Sequence, residues 1–319
     1  MCGYTARMRS WLLLSSLLCL SLASCKNSES EDRPKLDMAK FSDVGLLGNV
    51  ELISAGEEPR RELRFLFAEG TKEEIEMRVN MKSKTNAGGQ AVAVDMGMIF
   101  DMNAEILELP APDRARISFL IDSFDMDPEK TSPMIMQGAQ MMRSTIQGMK
   151  GNMVLSDRGN TFEVGYDMST VPEAMRASLS QMEDSLRNMT TALPEEPVGV
   201  GATWRLYQTL VMNGIKIHQR ADFTLKKIDG AMLYLDAEIA QEAPAQSVSL
   251  PGLPPGAQAE VLSFWSTGTS HISLDLKGIV PYEMKATVKN RSRFKIVMNG
   301  DTTKMKTKST SELSLERKN

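Results

Sequence analysis

Cysteine is nearly absent from this 319-residue chain: there are three, at positions 2, 19 and 25. From Lys26 onward no thiol remains for a disulfide, a zinc site or a nucleophile. The fold must rest on core packing and sheet hydrogen bonds. Histidine is scarcer still, with His218 and His271 alone. His218 lies between Lys216 and Arg220 and His271 opens a strand pattern, so both are expected to be solvated. There is no G-x-S-x-G, no H-E-x-x-H and no glycine-rich phosphate loop after a strand. A histidine-centred hydrolase site cannot be assembled, and the expectation is a non-enzymatic protein without a cofactor. Acidic residues outnumber basic ones, 41 to 37, which argues against a general nucleic-acid binder.

Long apolar runs are also missing, with one short exception. Arg7 and Arg9 precede a leucine-rich stretch from Trp11 to Ala23. It falls short of the roughly 20 apolar residues of a membrane span. A basic head, a short apolar core and a small-residue exit describe a secretory signal, here residues 1–24. The exit Leu22-Ala23-Ser24-Cys25 resembles the bacterial lipobox. The resemblance implies cleavage before Cys25, diacylglycerol on its sulfur and an acyl chain on its new amine. A plain secretory signal ending on a chance cysteine is the alternative. Residues 25–47 then form a tether, polar from Lys26 to Asp32. Lys26 after the cysteine resembles outer-membrane sorting, and the acids that follow resemble surface-export tethers. The expected address is the cell envelope, lipid-anchored at the outer membrane, on its periplasmic face or at the cell surface.

What is plentiful is period-two alternation. Ile75, Met77, Val79 and Met81 alternate with polar residues, and Val94 to Ile106 do so over thirteen positions, with Asn86-Ala87-Gly88-Gly89 as the hairpin between. Ile117, Phe119 and Ile121 slip phase to Phe124 and Met126, which predicts a bulge near Asp122-Ser123. The pattern returns from Ile215 to Leu225, Leu233 to Ile239, Ile272 to Leu276, Met284 to Met298, and Met305 to Leu315. Turns are expected at Ser156–Asn160, Asp229-Gly230 and Asn299-Gly300-Asp301. The expected fold is mainly β with two helices (α+β). It comprises long curved antiparallel sheets or half-barrels, pseudo-duplicated in two strand blocks. One helix is expected over about 132–149, with Ile135, Ala139, Met142, Ile146 and Met149 as its stripe, widened by Met134 and Met141. The other spans about 171–190, with Met175, Leu179, Met182, Leu186 and Met189. An N-terminal β domain would span 48–192 and a C-terminal one 193–319, with Pro194–Val200 as the joint. Pro244–Gln258 reads as a long loop, a lid or a partner contact.

Three features could carry function. The 24 methionines could offer thioethers to Cu(I), line an adaptable apolar groove, or fill an ordinary core. The groove reading would place an apolar ligand at Met142, Ile146, Met175, Leu179 and Met182. A basic stripe of Lys285, Lys289, Arg291, Arg293 and Lys295, with Lys304, Lys306 and Lys308 after it, could meet an anionic surface. It could equally be lysines guarding a sheet edge. Asp122, Asp125 and Asp127 lack the glycine and distal glutamate of a calcium loop and suit a solvated strand end.

Pro197-Val198-Gly199-Val200-Gly201-Ala202-Thr203-Trp204 resembles a P-V-x-V-G-x-x-W phrase of uncharacterised bacterial lipoproteins. There Gly201 would permit a turn and Trp204 would anchor a strand start. At the level of architecture the chain is similar to the lipoprotein carriers LolA, LolB and LppX, in which a curved sheet wraps an apolar cavity covered by helices. The resemblance implies an envelope protein binding an apolar or lipid-like ligand between helices and sheet. The alternative is a structural or protein-interaction module using the basic face or the 244–258 loop. Expected partners are the membrane through the N-terminal lipid, and a lipid or another envelope protein.

Overall fold

Alternating apolar and polar residues leave one face of a strand to be buried and the other to meet solvent, and most of this chain obeys that rule. The computed structural model describes residues 33–42, 44, 48–167, 192–212, 214–248, 257–298 and 300–318. The lipobox, most of the tether and the expected 171–190 helix lie outside them. In chain order the elements are β1 (Asn49–Ser54), β2 (Lys72–Ala87), β3 (Gln90–Ala111), β4 (Arg114–Met126), α1 (Pro133–Met136), α2 (Ala139–Ile146), β5 (Lys150–Ser156), β6 (Thr161–Tyr166), β7 (Thr203–Met212), β8 (Ile215–Asp229), β9 (Met232–Ala243), β10 (Gln246–Val248), β11 (Gln258–Asp275), β12 (Glu283–Met298) and β13 (Asp301–Arg317). A 3-10 turn at Met38–Phe41 precedes them.

The strands form one open antiparallel sheet of 13 strands in the order β1-β7-β8-β9-β11-β12-β13-β2-β3-β4-β5-β6, with β10 beside β11. Both strand blocks share this sheet. They are two meanders, β2 to β6 and β7 to β13, joined where β13 pairs with β2 from Met305↔Ala87 to Arg317↔Ile75. Tight hairpins set the register. Gly88 and Gly89 have φ of 58° and 86°, the left-handed pair that a type I′ turn requires, and close Ala87 onto Gln90. The expected bulge is present: Asp101 faces Ser123 and Met102 faces Ile121, leaving Asp122 as the extra residue. β3 runs 22 residues, about 75 Å at strand rise.

The sheet curls. Trp204 at the start of β7 donates from Nε1 to the Ala192 carbonyl at 2.9 Å. Leu193 N–H donates to the Arg158 carbonyl in the β5–β6 hairpin at 2.9 Å. One short segment thus touches strands near both edges of the sheet. Residues 194–200, expected as a joint, belong to this packing: Val198 is fully buried and bridges to Arg61. The Gly201 turn and the Trp204 anchor take the expected places, with Gly201 at φ 80° and Trp204 stacked on Phe223 at 5.6 Å. A strap between β1 and β2 closes the same end. Its Leu63 and Phe65 enter the core beside Leu225, Leu235 and Leu274. Phe65 N–H donates to the Asp157 carbonyl at 2.7 Å and Leu66 N–H to the Leu276 carbonyl at 2.6 Å.

The helix expected over 132–149 is broken. α1 and α2 are separated at Gln137-Gly138, where glycine is about 1 kcal/mol poorer than alanine in a helix interior. Thr131 and Ser132 fix its start to β3, their hydroxyl oxygens accepting from Gly97 N–H at 3.0 Å and Asp95 N–H at 2.9 Å. Ile135, Ala139, Met142, Ile146 and Met149 pack on the sheet as the stripe requires. Met134 and Met141 do not widen it, being 61% and 70% exposed.

A charged cluster locks the seam between the meanders. Glu73 is 3% exposed and accepts from Ile279 N–H at 3.0 Å, Val280 N–H at 3.1 Å and Arg317 Nη1 at 2.5 Å. Arg317 Nη2 donates to Asp275 at 2.8 Å. Burial opposes the Asp275 charge, yet the Arg317 and Lys277 N–H hydrogen bonds outweigh it and hold the carboxyl below the ordinary aspartate range. A depressed carboxyl contributes stability above the ordinary aspartate range and loses it as pH falls below that range. Removing one member of a buried pair strands the other charge, at about 3 kcal/mol or more. Arg317→Ala is therefore expected to lower the midpoint of chemical denaturation by about that amount at pH 7. The deficit should shrink as pH falls below the ordinary aspartate range, where the Asp275 carboxyl loses its charge. An unchanged midpoint at pH 7 contradicts this role.

Candidate functional site

Two surfaces stand out, one on each face of the sheet. The inner face is the one against which the strap and helices pack. Its residues can be followed from strand to strand by register. Apolar rows fill the closed end: Trp204 faces Phe223, and the next row runs from Leu225 through Leu235 and Ile272 to Met284, Leu315 and Met77. Further along lies a band of Ile239, Val288, Leu313, Val79, Met81, Met96 and Met98 on β9, β12, β13, β2 and β3, interrupted by Gly268 of β11 between Ile239 and Val288 and by Ser311 of β13 between Val288 and Met81. Every apolar side chain of the band is only half-buried. Of the residues expected to line a ligand site, Met142 and Ile146 reach this region, packing in one cluster with Met96, Met98, Phe100 and Phe124. Met175, Leu179 and Met182 lie outside the described residues.

A row of polar side chains bounds the band. Gln208, Gln219, Gln241 and Ser266 face inward at consecutive register positions on β7, β8, β9 and β11. Ser266 Oγ donates to Gln241 Oε1 at 2.6 Å, Gln241 Nε2 to Gln219 Oε1 at 2.6 Å, and Gln219 Nε2 to Gln208 Oε1 at 3.1 Å. Asn290, Ser309 and Ser83 continue the row across β12, β13 and β2. Each amide in the chain satisfies its neighbour, which is how buried polar groups avoid the desolvation penalty. This belt was missed in the sequence. Its signal was there: Gln208 sits between Leu206 and Leu210, Gln219 between Ile217 and Ala221, and Gln241 between Ile239 and Ala243, each polar residue in the apolar phase of its strand.

The outer face carries the basic stripe. Lys285, Lys289, Arg291, Arg293 and Lys295 share one face of β12. β13 sets Lys308 against Arg291, Lys306 against Arg293 and Lys304 against Lys295. β2 then adds Lys84 beside Lys308 and Lys82 beside Thr310, two cations the sequence reading had not joined to the stripe. These strands are central in the sheet, so edge protection does not account for the lysines. Arg291 lies over the Trp265 ring at 5.1 Å, and Lys295 pairs with Glu260 at 3.4 Å. Beside Lys289, a groove of about 520 Å³ is floored by Ala240, Thr267, Thr269 and Thr287. It opens on this outer face, away from α2.

The remaining candidates resolve into structural roles. Asp125 pairs with Arg143 of α2, and Asp127 accepts from Glu129 N–H at 3.0 Å. Among the described residues no three His, Cys, Asp or Glu side chains form a metal-sized group. His271 is exposed as expected and pairs with Asp236 at 2.6 Å. His218 departs from expectation. It is 7% exposed, with the Phe41 ring 4.7 Å away and Thr209 at 3.2 Å. The 3-10 turn that carries Phe41 covers it, and Tyr207 completes the edge-on contact. The chain matches no protein-family model, and no curated protein is similar to it.

Burial holds the His218 pKa below the ordinary histidine range; Lys216 adds to this and Glu242 opposes it. The unfolded chain therefore takes up the proton first, so acid disfavours the folded state as pH falls through the ordinary histidine range, about 6.5. Thermal midpoints measured from pH 7.5 to 5.5 should fall more steeply for the wild type than for His218→Gln. Parallel profiles contradict this.

Proposed function

We propose that this chain is a non-catalytic envelope lipoprotein, tethered through lipid on Cys25, that takes an apolar, lipid-like ligand on the inner face of its curved sheet. The observation that carries the reading is the half-buried apolar band across five strands. A cluster of partly exposed apolar side chains on the curved inner face, short of full core burial, is the kind of surface an apolar ligand can complete. Methionine suits it, because an unbranched, polarizable side chain adapts to chains of varied shape. The Gln208–Ser266 belt supports a ligand with one polar end, since an acyl chain along the band would place its head near amides and hydroxyls. α2 is eight residues long, about 12 Å, and lies over β4 at one side of the band. No step of bond making or breaking is assigned to any residue.

Purification of the chain from Lys26 onward without detergent, followed by native mass spectrometry, should show bound lipid. Met81→Gln with Met96→Gln keeps side-chain volume but removes apolar surface. It should weaken binding of a fluorescent fatty-acid analogue on the order of tenfold while leaving the thermal midpoint close to wild type. Absence of co-purified lipid together with no binding of the analogue contradicts the reading.

A further inference from the structure

The outer face of β12, β13 and β2 holds a charge arrangement that folding alone disfavours. Arg291 faces Lys308, which faces Lys84, and Arg293 faces Lys306. Like charges directly opposite one another on a sheet are destabilising. The acids of the same strands sit elsewhere: Glu283, Glu312, Glu316 and Glu76 occupy the other half of this face, toward the closed end. The face is therefore split into a cationic half near the β12–β13 hairpin and a mixed half away from it.

The start of the described chain lies beside the cationic half. Arg33 pairs with Glu242 on β9. Glu242 is opposite Trp265 on β11, and Trp265 is opposite Arg291 on β12. Two strand spacings, about 10 Å, separate β9 from β12. Lys26 to Arg33 is a stretch of eight residues, which spans at most about 28 Å when fully extended. A lipid on Cys25 would thus hold the bilayer surface within that reach of Arg33, and within about 38 Å of the cations. Screening limits their attraction to about 8 Å at physiological salt, so the face must come close to the headgroups to gain from them.

We propose that the cationic half of this face lies on the anionic headgroups of the bilayer that carries the Cys25 lipid. This rests on the lipidation reading. Acyl chain and cations then act as a two-part anchor, and the sheet is held with its outer face to the membrane and its inner face turned away from it.

The lipidated full chain tests this with a single label. Once the leader is removed and Cys25 acylated, Lys306→Cys supplies the one free thiol for an environment-sensitive fluorophore. The labelled protein is placed in phosphatidylcholine vesicles with and without phosphatidylglycerol, and flotation is read alongside emission. The expected result is flotation with both vesicle types. Emission at position 306 should shift to the blue only when phosphatidylglycerol is present, and the shift should be lost in high salt and in the Lys289→Glu, Arg293→Glu background. A label at Asp113→Cys, in the β3–β4 turn, should not respond. Flotation with identical emission in both vesicle types overturns the docking and leaves the anchor standing. Failure to float with phosphatidylcholine vesicles overturns both. A response to soluble polyphosphate but not to anionic vesicles assigns the face to a soluble polyanion and overturns the membrane assignment.

Discussion

The pairing of β13 with β2 is the contact on which the rest of this molecule depends. Each meander alone would end in an unpaired edge, and long flat edges invite aggregation. The seam replaces two such edges with one antiparallel ladder from Met305↔Ala87 to Arg317↔Ile75. It also assembles both of the surfaces for which function is proposed. On the inner side it brings Leu313 to Val79 and Ser309 to Ser83, which carries the apolar band and the polar row across the seam. On the outer side it brings Lys308 to Lys84 and extends a two-strand stripe onto a third strand. At the closed end, Arg317 ties the seam to Glu73 and to Asp275 of β11.

The two faces are under different physical demands. The inner face divides into a packed closed end, a half-buried band, a row of amides that hydrogen-bond one another and, beyond that row, a second buried cluster around Leu210, Ile217, Val261 and Phe294. The outer face sets like charges in register at some expense in stability. Both departures from an optimal folding pattern lie where function is proposed, an apolar ligand inside and an anionic bilayer outside. Consistency across levels is the usual rule, and sites are where it lapses.

Much of the fold was legible because alternation reports burial directly. The strand phases, the hairpins at Gly88-Gly89 and Gly230, the extra residue at Asp122 and the anchor at Trp204 all follow from local rules. What was not legible was non-local. No local pattern says that Lys84 and Lys308 are neighbours, since the seam joins residues more than two hundred positions apart. The same gap left the lysines readable as edge guards. The strap was hidden for another reason: Leu63 and Phe65 sit in a stretch without alternation, held by backbone hydrogen bonds to Asp157 and Leu276. His218 lies in a strand where polar neighbours imply solvent, and the docking of Phe41, far away in sequence, covers it. The helix break at Gly138 was legible in principle, because glycine there weakens the stripe that Ile135 and Met142 otherwise define.

Amide hydrogen exchange across the sheet tests the seam most directly, because protection tracks the free energy needed to open each strand. If β13 and β2 are joined at the centre of one sheet, the amides of residues 77–85 and 307–315 should exchange as slowly as those of β8 and β9. The edge strands β1 and β6 should exchange faster. Exchange in β2 and β13 at the rate of the edge strands would contradict the single sheet, and with it both surfaces that the seam brings together.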